Sequence, residues 1–159
     1  MMNSNLLIVY FSQSNHTRQL AQAIQRQTGG ALAELLPDPP YPASYRAVVQ
    51  RGQEELHTGN LPPLHPSVSQ LDRYDTLLVG TPNWFGTIAP PVQTFLKDSD
   101  LSGKRVAPFC TNGGGGFGTI PQDLERMCPA SICLPGLQVS GSGVSEEQLS
   151  HWLRQIGVL

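Results

Sequence analysis

Charge is scarce in this chain. Charged residues make up 14% of it, and ten Lys and Arg against twelve Asp and Glu leave a net charge of −2. No basic stripe or polybasic cluster is present, which argues against a nucleic-acid partner or an anionic membrane surface. Cysteine is scarce too. Cys110, Cys128 and Cys133 form no CxxC, and an odd count is poor material for a disulfide framework, so a reducing compartment is expected. His57, His65 and His151 show no metal-ligand spacing. No apolar run approaches the ~18 residues of a membrane span, and the opening Met1-Met2-Asn3-Ser4-Asn5 lacks the basic start of a secretory signal. These absences predict a soluble, cytoplasmic protein. What is plentiful is glycine (16) and proline (14), which predicts substantial, shaped loops. The 159 residues suit a single domain with a sizeable core.

Residues 5–11 (Asn-Leu-Leu-Ile-Val-Tyr-Phe) do not alternate in polarity and read as a buried parallel strand. A helix follows with Leu20, Ala21 and Ile24 on one face, closed by Gly29-Gly30. Residues 31–36 give a second, outer strand, and residues 37–42 a rigid proline-rich loop. Ser44 caps a helix whose expected inner face is Tyr45, Val48, Val49 and Leu56. Residues 74–80 form the third strand and 81–89 a loop. Pro90-Pro91 then opens a helix with Val92, Phe95 and Leu96 inward. Residues 104–111 read as the fourth strand, in which Pro108 predicts a bulge or a missing ladder bond. A glycine loop and a helix with Ile120, Leu124 and Met127 come next. The last strand is interrupted at Pro135-Gly136, and Ser145 caps a final helix striped by Leu149, Trp152, Leu153 and Ile156. Five alternations of strand and helix predict an α/β fold: a doubly wound, five-stranded parallel sheet between two helical layers. Ligands of such sheets bind at the carboxyl ends of the strands, where strand order reverses.

Three loops belong to that edge. Ser12-Gln13-Ser14-Asn15-His16-Thr17 follows the first strand and offers hydroxyls and main-chain N–H groups at a helix N-terminus, where a phosphate monoester fits. The plainer alternative is that Ser14 or Asn15 is simply an N-cap. Thr81-Pro82-Asn83-Trp84-Phe85-Gly86-Thr87 carries two large aromatics, which either face a planar ring or plug the space beneath the loop. Thr111-Asn112-Gly113-Gly114-Gly115-Gly116-Phe117-Gly118 lets the backbone approach a ligand closely and offers amides to ring carbonyls; Phe117 packs on that ring or anchors the loop. A phosphorylated flat heterocycle matches this combination, and FMN matches it best.

On these three stretches the chain resembles the flavodoxin-like proteins, in particular their compact members without a long insertion in the fifth strand. The likeness extends over nearly the whole chain and implies strand order 2-1-3-4-5 and FMN as cofactor. It assigns the phosphate to Ser12, Gln13, Ser14, Asn15, His16 and Thr17. The isoalloxazine falls to Pro82, Asn83, Trp84, Phe85 and Gly86, and to Thr111, Asn112, Gly113, Gly114, Gly115, Phe117 and Gly118. Two departures stand out. Asn15-His16 occupies a place where the family favours glycine, and the third loop has Phe117 where a ring-covering tyrosine is common. Tyr41 or Tyr45 is an alternative source of that tyrosine.

The resemblance implies electron transfer through the flavin to a redox partner protein or small electron acceptor, or else an NAD(P)H-dependent FMN or quinone oxidoreductase. No Lys or Arg lies between Arg73 and Lys97 or between Arg105 and Arg126, so neither ring-binding loop carries a cation to stabilise a reduced, anionic flavin. A low reduction potential is expected. The net charge of −2 gives weak electrostatic steering for a carrier, and for a reductase Arg46 or Arg51 is the nearest source of a cation for NADPH. A phosphoacceptor receiver domain is disfavoured because the first strand ends in Tyr10-Phe11-Ser12 without acidic residues. A cysteine phosphatase is disfavoured because no arginine closes the loop after Cys110.

Overall fold

The computed structural model describes residues 5–66, 68–140 and 143–159. Its sheet is built on β1 (Leu6–Tyr10), β2 (Ala31–Glu34), β3 (Thr76–Trp84), β5 (Arg105–Asn112) and a broken edge strand, β6 (Ile132–Cys133) plus β7 (Leu137–Ser140). These lie in the order β2-β1-β3-β5-β6, with β7 also on β5, and every one of these pairings is parallel. The expected 2-1-3-4-5 arrangement is therefore present. A short β4 (Thr87–Ile88) pairs antiparallel with the end of β3.

The non-alternating first strand has its explanation in two cores. Leu7, Val9 and Phe11 join the cluster under α2 (Tyr45–Thr58), α3 (Pro90–Asp98) and α4 (Ile120–Met127). Leu6, Ile8 and Tyr10 join the cluster under α1 (His16–Thr28) and α5 (Glu146–Gln155). The final helix behaves as its stripe predicts: Leu149, Trp152, Leu153 and Ile156 are all buried, and Ser145 and Gln148 form a reciprocal capping box.

Three expectations change. The second strand stops at Glu34 rather than residue 36. Of the predicted inner face of α2 only Val48 is buried, joined by Gly52 and Glu55; Val49 and Leu56 are half-buried, and Tyr45 is 84% exposed. Glu55 is buried because a tyrosine and an arginine satisfy it, which helical periodicity alone does not register. The stretch 81–89 is no loop. β3 keeps its register with β5 as far as Pro82↔Thr111, then turns through Phe85-Gly86 into β4. Both turn residues have positive φ (58° and 81°), as tight two-residue hairpins require.

Pro108 causes no bulge. It sits in register opposite Val79 on one side. On the other, pairing stops at Val106↔Cys133 and resumes at Phe109↔Leu137, so the break in the edge strand falls beside the residue without an N–H. Gly136 lies in that break, where a Cβ would come within 2.7 Å of the Pro108 carbonyl.

Candidate functional site: a cleft at the carboxyl edge of the sheet

The turn after β1 is held by its first hydroxyl. Ser12 Oγ accepts the Arg18 N–H (3.2 Å), satisfying one free donor of α1. Neither Ser14 nor Asn15 caps the helix with its side chain. Asn15 adopts a left-handed conformation (φ 77°), and its Oδ1 accepts from Arg18 (2.8 Å). This answers the Asn15 departure, since asparagine tolerates the conformation that glycine would otherwise supply. Ser14 Oγ and His16 Nδ1 lie 3.2 Å apart at the exposed rim. Thr17 is buried, and its hydroxyl shares a 2.8 Å hydrogen bond with that of Thr111, tying the first turn to the end of β5. Gln13 reaches away to the Pro42 carbonyl. Among the described residues, no acceptor engages the main-chain N–H groups of Ser14, Asn15, His16 or Thr17, which sit at the positive end of α1.

The hairpin is braced from below. Trp84 meets Phe11 and Tyr41 edge-on, with ring centroids 5.4 and 5.1 Å away. Tyr41 donates its hydroxyl to Glu55 and lies under the Arg51 guanidinium, 4.0 Å from the ring centroid. Arg51 also bonds Glu55 and the carbonyls of Pro39 and Pro40. Burial pushes the Tyr41 hydroxyl up, and the hydrogen bond and charge of Glu55 push it further, so it stays protonated. Gly52 lets α2 press against the hairpin: a Cβ there would be 3.2 Å from Phe85 and 3.4 Å from Trp84.

Asn83 and Gly118 join the hairpin to the glycine loop. Asn83 accepts from the Gly86 N–H (2.8 Å) and donates to the Gly116 carbonyl (2.9 Å). A Cβ at Gly118 would sit 2.3 Å from the Gly86 carbonyl, so only glycine allows that approach. Asp123 accepts from Thr87 (2.5 Å) and Thr119 (2.6 Å). Burial alone would raise its carboxyl, but the hydrogen bonds from Thr119, Thr87 and Arg126 outweigh this and hold it below the usual range.

Within the glycine loop, Asn112 Oδ1 takes the N–H groups of Gly114 and Gly116 (2.9 and 3.0 Å), so these two amides are not available to a ligand. Gly113 and Gly115 have no such partner among the described residues. Phe117 packs against the core beneath, close to Gly136; it anchors the loop. The Cys110 thiol, pushed up to about 12 by burial, is inert beneath the same loop.

These elements enclose a cleft of about 630 Å³, within the range of small-molecule sites. Of the sequence-predicted residues, Ser14, His16, Pro82, Asn83, Trp84, Thr111, Asn112 and Gly113 line it. Ser12, Gln13, Asn15 and Thr17 shape the turn behind it; Phe85, Gly86, Gly114, Gly115, Phe117 and Gly118 stand outside the lining. Sequence reasoning missed Gln19, Leu20 and Ala23 of α1 and a wall made by Val139, Ser140, Gly143 and Val144. The register Asn112↔Ser140 brings that last wall beside the glycine loop, a pairing with no local sequence signal. Tyr45, one of the two tyrosines named as alternatives, lines the cleft. No Lys, Arg, Asp or Glu is among the described lining residues. Arg18, the nearest cation to the turn, is paired with Glu34.

A parallel sheet in this order, with a cleft where the order reverses, defines a flavodoxin-like α/β protein. The flavodoxin family profile matches residues 5–156, and the chain belongs to that family. Among curated proteins it is 28% identical over 158 residues to NAD(P)H dehydrogenase (quinone) 3 of Rhizobium meliloti strain 1021, covering 88% of this chain and 69% of that one. It is 27% identical to NAD(P)H dehydrogenase (quinone) of Cupriavidus metallidurans, covering 88% and 74%. A solved Bacteroides eggerthii protein, provisionally classed as a flavoprotein, superposes with a TM-score of 0.88 at 26% identity, covering 99% and 100%. A Lactobacillus acidophilus flavoprotein solved in complex with FMN superposes at 0.78 with 19% identity, covering 94% and 99%, a likeness of fold. Family and neighbours together support FMN as the cofactor. Among the described residues no helix is long and apolar enough to cross a membrane.

Proposed function

We propose that the chain binds FMN in this cleft and passes electrons through it to a redox partner protein or a small acceptor. The observation that carries this reading is the cleft's division into two chemically different ends. At one end, free main-chain donors at the start of α1 and the Ser14 and His16 side chains suit a phosphate dianion. At the other, Pro82, Trp84 and the open backbone at Gly113 suit a flat ring. Bound FMN supplies one- and two-electron chemistry. The chain's own part is to orient the ring, shield one side of it with Trp84, and set the field around it. With no charged side chain among the described lining residues, a reduced, anionic ring gains no ion pair here, and a potential below that of free FMN is expected.

A second reading, an NAD(P)H-dependent quinone oxidoreductase, is favoured by the names of the curated relatives. It would need a cation for NADPH. Arg51 is committed to Glu55, Pro39 and Pro40, which leaves Arg46, exposed at the start of α2. A visible spectrum of the purified protein, then NADH and NADPH oxidation with a quinone acceptor, separates the two. Flavin bands without pyridine-nucleotide oxidation are expected for the carrier. Turnover selects the reductase, and a protein that takes up no flavin contradicts both.

A further inference from the structure

We propose that Tyr45 is the residue that covers the outer face of the flavin ring. This rests on the FMN reading above and assigns a role within it.

The aromatic of the glycine loop does not face the cleft. The third loop's aromatic, Phe117, is packed against the core beside Gly136. Tyr41 is unavailable as well: it is 8% exposed, bonded to Glu55, covered by Arg51 and edge-on to Trp84. Among the described lining residues the only aromatics are Trp84 and Tyr45. Trp84 is braced edge-on against Phe11 and Tyr41 and forms one wall.

Tyr45 has the opposite character. It is the first residue of α2, with its backbone set by the Ser44 cap, whose side chain accepts from Ala47. Seven residues on, and so on nearly the same helix face, Gly52 is pressed against Trp84 and Phe85. That face of α2 therefore runs from the hairpin to the cleft mouth, where Tyr45 borders the cavity with 84% of its surface in water. A large aromatic that packs against little of its own protein, yet borders a ligand-sized cleft, is free to stack on a planar ligand. Its contact is to the ring and not to the phosphate, and this gives the proposal a distinctive signature.

The test is titration of the flavin-free protein with FMN and, separately, with riboflavin, which lacks the phosphate, for the wild type, Tyr45→Ala and Tyr45→Phe. The exposed position leaves the fold of both variants intact, checked by far-UV circular dichroism. Tyr45→Ala is expected to weaken both flavins by the same factor, about tenfold, while Tyr45→Phe stays within twofold of wild type. Unchanged affinity of Tyr45→Ala for both flavins, or a loss confined to FMN, overturns the proposal while leaving FMN binding standing. Failure of the wild type to bind either flavin overturns the FMN reading, and the role of Tyr45 with it.

Discussion

The two ends of the cleft are built in different ways. The turn from Ser12 to Thr17 is polar and mostly exposed, and its main-chain donors from Ser14 to Thr17 are free among the described residues; its side-chain ties are to Arg18 through Ser12 and Asn15, to Thr111 through Thr17 and to Pro42 through Gln13. The hairpin from Pro82 to Ile88 is locked. Its Trp84 rests on Tyr41 and Phe11, with an Arg51–Glu55 pair and a glycine contact with α2 behind them. Beside it are Asn83, Gly118 and Asp123. A phosphate can be met by a few amides that cost little stability to keep free. A planar ring needs a wall held at a fixed distance, and that wall is supported by the core. Binding and stability should therefore separate: changes at the first turn reach the ligand, and changes beneath the hairpin reach the fold.

The largest expected effect is on the fold. Glu55→Ala leaves the Arg51 charge and the Tyr41 hydroxyl without their shared partner in a buried site. It should cost about 3 kcal/mol, of the order measured when one member of a buried pair is removed, and lower the thermal midpoint by roughly 10 °C. A midpoint within a degree or two of wild type would mean the brace is not where the hairpin gets its rigidity.

A smaller effect comes from acid. Because the Asp123 carboxyl is held below its ordinary value of about 3.9, it stabilises the fold above that pH. That contribution is lost as pH falls through the lower folded value. Thermal melts of wild type and Asp123→Asn should differ most near neutrality and converge below about pH 4. Parallel curves across that range would remove Asp123 as the clamp between the hairpin and α4.

Much of the fold was legible in the chain because burial on both faces of a parallel strand leaves an unmistakable apolar run, as at residues 6–10 and 76–80, and because Gly29, Ser44, Pro90 and Ser145 punctuate the helices. The interruption of the last strand at Pro135-Gly136 was legible too, but its placement beside Pro108 depends on register. What local pattern could not show was long-range satisfaction. The 81–89 stretch reads as a loop until Pro82 is paired with Thr111 and Trp84 with Thr87. Glu55 reads as solvent-facing until Tyr41 and Arg51 are brought to it. Gly114 and Gly116 read as free donors until Asn112 folds back to take them. At the candidate site, the residue types pointed to the edge of the sheet where the cleft lies, and the contacts then divided liners such as Trp84 and Gly113 from supports such as Phe117 and Thr17.

The most direct test of the two-ended cleft is calorimetric titration of the flavin-free protein with FMN and with riboflavin at one pH and salt concentration. The free donors at the start of α1 predict that FMN binds more tightly by about two orders of magnitude, and that Ser14→Ala narrows this gap while leaving riboflavin affinity unchanged. Equal affinities for the two flavins would contradict the account, because the turn from Ser12 to Thr17 would then start a helix and hold no phosphate.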